Sequence, residues 1–249
     1  MGTLALATWP LAVLGLGRVF REAGRRFWLA MTALTAVQGT VAVLLRGTAR
    51  WGWRLPPATL AWAAASAVVL YGLFYLGDRA LLALLPSLPA AGGVVYEKAE
   101  SGRFRLVIAG ALLLVIGPGE ELYWRGLVQA HLALWLGPAC AVLVAAGLYA
   151  AAHLVTRNPA LVLAALLCGV YWGALYWATG NLAAVVVSHA LWDCLTLLWL
   201  PLPVGRTAAS GRRAGARLIR REFREEARPR GRHGHQETRS AGAGLVRRW

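Results

Sequence analysis

Charged side chains are scarce in this chain. Asp, Glu, Lys and Arg make up 15% of its 249 residues, hydrophobic residues make up 58%, and the mean hydropathy is +0.54. A soluble domain carries about 25% charged residues, so that class is excluded. Cysteine is also rare: Cys140, Cys168 and Cys194 form no CxxC pair and each falls in an apolar run. They read as small core residues kept reduced, with no thiolate metal site or disulfide framework to expect. No small-residue cleavage site follows a basic amino-terminal region, which argues against a removable signal peptide. The period-two alternation of a barrel strand is missing, and so is any internal repeat.

What the chain has instead is apolar length. Runs at about 2–16, 27–45, 58–76, 106–129, 132–154, 160–178 and 182–200 mostly approach the ~20 residues that cross ~30 Å of hydrocarbon. The predicted fold is all-α, a polytopic transmembrane helix bundle of six to seven spans within residues 1–204, because a helix satisfies its own backbone groups in lipid. The first run is short and holds Pro10, so it separates six spans from seven: it is a span, an uncleaved signal-like segment or an interfacial helix. Trp51, Trp53, Trp177 and Trp199 sit near segment ends, as interfacial anchors do.

Residues 205–249 carry 13 arginines against 4 glutamates, a net +9 (13 − 4) of the total +15. This segment reads as a basic, disordered cytoplasmic tail attracted to anionic lipid, with no specific nucleic-acid partner expected. His233 and His235 form an HxH there, but a Gly/Arg-rich setting makes it poor evidence for a metal site. With the tail inside, the positive-inside rule also puts Arg18, Arg21, Arg25, Arg26, Lys98, Arg103, Arg105 and Arg157 inside, and leaves Arg46, Arg50 and Arg54 outside against the rule. The expected location is the cell membrane, multi-pass.

An ionisable residue at the centre of a spanning helix costs about 2.5–3.5 kcal/mol or more, so each one calls for a functional explanation. In the C-terminal half, with His131 set aside between two spans, these residues are Glu120, Glu121, Arg125, His153, His189 and Asp193. Glu121 and Arg125 stand four apart on one helix face and can pair. Glu120 points ~100° away from Glu121 and has no local counter-charge. A carboxylate left unpaired in an apolar setting suits a general base that takes a proton from water. Tyr149 and His153 in "YAAAH", and His189 and Asp193 in "SHALWD", repeat the four-residue spacing.

Alone, each such group is more often a satisfied structural residue. Together they supply a base, a positioning imidazole and oxyanion donors, the parts of a hydrolytic site. Two chemistries remain open. Glu120, His153, His189 and Asp193 are all competent ligands for Zn²⁺, although no HExxH or HxxEH is present. In the metal-free version Glu120 and His153 hold and deprotonate water, while His189 and residue 193 face the oxyanion.

The motifs "EELYWRG", "YAAAH" and "TGNLAAVVVSHALWD" resemble the EExxxR, FxxxH and HxxxN/D motifs of the CPBP (Abi) intramembrane protease family, which includes the type II CAAX prenyl endopeptidases and bacteriocin self-immunity proteins. The resemblance covers residues 117–199. It implies an intramembrane endopeptidase acting on a membrane-associated or lipidated, CAAX-like protein. Glu120 would be the base, Glu121 a support paired with Arg125, and His153 a partner for the water. His189 with Asp193 would serve the oxyanion or a metal. Tyr149 replaces the usual Phe, and Asp193 stands where Asn is frequent; an ionised Asp would repel an oxyanion.

Two other readings are a non-catalytic immunity or scaffold protein of the same family and a proton-coupled carrier, the latter opposed by the lack of inverted repeats. The span boundaries also raise a difficulty. Straight helices at 106–129 and 132–154 set Glu120 and His153 on the order of 15 Å apart in depth. A break at Gly117-Pro118-Gly119 or at Gly137-Pro138 is expected to relieve it.

Overall fold

In the computed structural model the described residues are 6–47, 51–84, 103–200 and 202. The tail at 205–249 lies outside them. Seven helices are found among the described residues, with no strand: α1 (Trp9–Val19), α2 (Gly24–Arg46), α3 (Pro57–Leu84), α4 (Phe104–Leu136), α5 (Pro138–Thr156), α6 (Pro159–Thr179) and α7 (Leu182–Trp199). α2 to α7 are each long and apolar enough to cross a membrane, so the chain is a multi-pass membrane protein with six candidate spans. The first apolar run, which separated six spans from seven, holds α1, whose 11 residues are too short to cross. It is fastened to the bundle by Thr8 against the Tyr123 hydroxyl at 2.9 Å and by the Trp9 indole N–H donating to the Leu148 carbonyl at 3.1 Å.

Local chemistry sets the turns. Pro57, Pro138 and Pro159 open their helices at the position where a missing N–H costs nothing. Asn158 and Asn181 cap α6 and α7, the Asn158 side chain accepting from the Ala160 and Leu161 amides. Gly137 at φ +75° and Gly180 at φ +59° close the α4–α5 and α6–α7 turns in a conformation that L side chains rarely adopt.

The boundary expected between 129 and 132 is therefore wrong. α4 runs on to Leu136 and the turn falls at Gly137, so His131 lies inside a helix and not between two spans. Glu120 and His153 then stand almost equally far from the turn, one before it and one after, which removes the depth mismatch. Trp124 against Tyr149, with ring centroids 5.0 Å apart, shows the same antiparallel register.

Gly117-Pro118-Gly119 is not a break either. The helix widens just before it, the Gly117 amide bonding back to the Leu112 carbonyl five residues away, and this wide turn admits Pro118 without ending the helix. The flanking glycines are contact points. A Cβ at Gly119 would collide with the Thr35 backbone of α2, and one at Gly117 would meet Ala190 of α7 at 3.1 Å. Two smaller expectations are also corrected. Trp51 is fully buried beside Gly126 and Leu182 and is no interfacial anchor, whereas Trp53, Trp177 and Trp199 are exposed. Cys140 is exposed on the first turn of α5, while Cys168 and Cys194 are buried.

Candidate active site

Glu121 and Arg125 form the predicted pair. Nη1 of Arg125 donates to Oε1 of Glu121 at 2.8 Å, with the side chains 2% and 0% exposed. Nη2 of Arg125 reaches the carbonyls of Cys168 and Gly169 on α6 at 3.2 and 3.3 Å, so the buried guanidinium is spread over three acceptors. The same Glu121 oxygen accepts from Nδ1 of His189 at 2.6 Å. A buried charge is tolerable only with such partners, and here the carbonyls of α6 and the His189 ring of α7 lock those helices to the pair on α4.

Because Arg125 is occupied by Glu121, Glu120 keeps its own direction. Its Oε2 accepts from the Tyr149 hydroxyl of α5 at 2.9 Å and lies 3.9 Å from Nε2 of His189. Nε2 of His189 is also 3.5 Å from Oδ2 of Asp193. His153 uses Nδ1 against the Tyr149 carbonyl at 2.9 Å; a carbonyl can only accept, so Nδ1 carries the proton and the neutral ring offers Nε2 as an acceptor. Ring contacts hold these groups still. Tyr149 packs edge-on against His153 at 4.7 Å, and Trp172 stacks on His189 at 3.8 Å. Trp172 is fixed in turn by donating to Ser188, which is bonded to Ser66 of α3.

Glu120, Tyr149, His153, His189 and Asp193 all line one cavity of ≈160 Å³. Its remaining wall is mainly apolar and aromatic, including Phe20, Phe27, Trp28, Phe74, Trp172 and Trp192. Of the six residues singled out in the sequence, four face this space, and Glu121 and Arg125 stand behind it as supports. Tyr149, which stands where Phe is usual in the motif, supplies the hydroxyl that bonds Glu120. Trp172 and Trp192 carry no sequence signal, since an aromatic on an apolar helix reads as packing.

The four expected metal ligands, Glu120, His153, His189 and Asp193, share the cavity, yet among the described residues no group of three or more His, Cys, Asp or Glu is placed to hold one ion. Tyr149 bonds one oxygen of Glu120, and the Tyr149 carbonyl and Glu121 take Nδ1 of the two histidines, so these bonds leave Nε2 of both rings unused.

Residues 102–195 match the family model described as type II CAAX prenyl endopeptidase Rce1-like. Over this segment the chain is similar to that family. The match agrees with the family read from the three motifs, and it spans α4 to α7 up to the start of the last turn of α7, with every charged residue of the site inside it. No curated protein and no solved structure matches the chain. Phe20, Phe27, Trp28 and Phe74 lie before the Rce1-like segment, so the helices outside the match still wall the cavity.

Proposed function

We propose that the chain is an intramembrane endopeptidase that hydrolyses a peptide bond in a membrane-associated or lipidated, CAAX-like protein by water activated at Glu120. The observation that carries this reading is that Glu121 occupies Arg125 and leaves Glu120 facing the cavity alongside His153. Glu120 takes a proton from water, and Nε2 of His153 accepts the water's second hydrogen bond. The hydroxide adds to the carbonyl carbon, and the C–N bond breaks as Glu120 returns the proton to the leaving nitrogen. Tyr149 orients the Glu120 carboxylate by its hydrogen bond, and Glu121 fixes the His189 ring by accepting from Nδ1. Asp193, 3.5 Å from Nε2 of His189, orients that ring from the other side.

The bundle end that bears Arg18, Arg21, Arg25, Arg26, Arg103, Arg105 and Arg157 faces the cytoplasm in this reading. α2 and α4 begin there, as Arg25 lying 4.8 Å over the Phe104 ring indicates, and the opposite end offers Arg46 and Arg54 among the described residues. Phe20, Phe27 and Leu202 line the cavity on that side, so substrate approaches from the cytoplasmic leaflet.

The test is cleavage of membrane-bound and prenylated reporter peptides by purified wild type and Glu120→Gln. Cleavage by wild type and its loss in the variant supports the protease. Folded proteins that cleave nothing in the panel move the weight to the immunity or scaffold reading.

A further inference from the structure

The His189 ring is held on two sides. Glu121 accepts from its Nδ1 at 2.6 Å, and the Trp172 indole lies against its face at 3.8 Å with the two planes 21° apart. Nε2 is the ring nitrogen left toward the other cavity residues, 3.5 Å from Asp193 and 3.9 Å from Glu120. Whatever fixes Trp172 therefore bears on where Nε2 points.

The indole N–H of Trp172 can only donate, and it meets Oγ of Ser188 at 3.2 Å. Ser188 is fully buried, and its Oγ lies 3.1 Å from Oγ of Ser66 on α3. Oγ of Ser66 is in turn 2.8 Å from the Tyr171 hydroxyl, which donates to the Ser66 carbonyl at 3.0 Å. Each hydroxyl has one hydrogen, so one order satisfies all four bonds: Tyr171 donates to the Ser66 carbonyl, Ser66 to Tyr171, Ser188 to Ser66, and Trp172 to Ser188. Bonds aligned in this way reinforce one another in a low-dielectric interior.

Ser188 and His189 are neighbours on α7, and their side chains point ~100° apart. A single indole, with its N–H on the first and its face on the second, is keyed to α7 in both rotation and height. A turned indole would leave a buried N–H without an acceptor, which is uncommon in folded proteins.

We propose that Ser188 and Ser66 are positioning residues for His189, holding its ring through the Trp172 indole so that Nε2 stays directed at the cavity. This role deepens the hydrolytic reading and rests on it. Ser66 precedes the matched segment 102–195, so α3 arranges the site as well as walling it with Phe74.

The experiment compares wild type, Ser188→Ala, Ser66→Ala, Ser66→Thr and Thr196→Ala in the full chain. It reads cleavage of a prenylated reporter peptide and the ¹H–¹⁵N resonance of His189 Nδ1–H, assigned by its loss in His189→Gln. Thr196→Ala is the control, because it removes a buried α7 hydroxyl that bonds backbone carbonyls. We expect both serine-to-alanine variants to shift the resonance and to lose about tenfold in kcat with KM within about threefold, less than the ~10²-fold that a 1 Å misplacement can cost. Ser66→Thr restores both readouts, and Thr196→Ala leaves both as in wild type. Wild-type kcat or an unmoved resonance in folded Ser188→Ala, or an equal loss in Thr196→Ala, overturns the proposal. If Ser188→Ala does not fold, Ser66→Ala decides by the same two readouts. If wild type cleaves nothing, the hydrolytic reading fails separately, and the resonance still decides whether the two serines hold the His189 ring.

Discussion

Nδ1 of His189 lies 2.6 Å from Oε1 of Glu121, the same oxygen that Nη1 of Arg125 meets at 2.8 Å. One carboxylate oxygen thus fastens two cationic or ionisable side chains from two helices. The adjacent Glu120 is the carboxylate left facing the cavity.

Glu121→Ala leaves Arg125 fully buried with carbonyl partners alone, and removal of one member of a buried ion pair costs about 3–5 kcal/mol. The variant is expected to unfold in detergent at markedly lower denaturant and to be inactive through loss of structure. Thermal and denaturant melts of Glu121→Ala against Glu120→Gln check this. Similar melting of the two variants contradicts the division into support and base.

Tyr149→Phe removes the hydroxyl that bonds Glu120. A single net hydrogen bond is worth about 0.5–1.5 kcal/mol, and more when the acceptor is charged. We expect a folded protein with a modest stability loss and kcat reduced about tenfold, read from paired melting and cleavage assays. Undiminished kcat would remove Tyr149 from the site.

Gly119→Ala forces a methyl group into the Thr35 backbone of α2, and overpacking of this kind costs about 1–3 kcal/mol. Gly147→Ala is the control, because nothing lies within 4 Å of its added Cβ and Ala is the better helix former. Melting temperature should fall in the first variant and hold or rise in the second.

How much of this was legible beforehand differs by level. The all-helical bundle followed from run lengths, and the Glu121–Arg125 pair followed from four-residue spacing. The α4–α5 turn was misplaced because Gln129 and His131 interrupt the hydropathy and read as a loop. In the fold Gln129 is buried and donates to the Gly173 carbonyl at 2.9 Å, so its polarity is satisfied inside the bundle. Gly117-Pro118-Gly119 carried a break signal, yet the wide turn before it absorbs the proline and the glycines serve close packing. Apart from Asp193, four residues after His189, the partners of Glu120 and His189 lie on other helices, and no local pattern encodes contacts such as Trp172 on His189.

The reaction proposed at Glu120 uses no zinc. Cleavage by wild type is expected to persist after prolonged treatment with a strong chelator and to gain nothing from added Zn²⁺. Loss on chelation with restoration by Zn²⁺ would contradict it.

The most direct measurement is cleavage of a reporter peptide in H₂¹⁸O by wild type and by Glu120→Gln, with folding of both checked by melting. The account predicts one ¹⁸O in the new carboxylate from wild type and no product from an equally stable Glu120→Gln. Product formed by Glu120→Gln at the wild-type rate would contradict the assignment of Glu120 as the group that activates water.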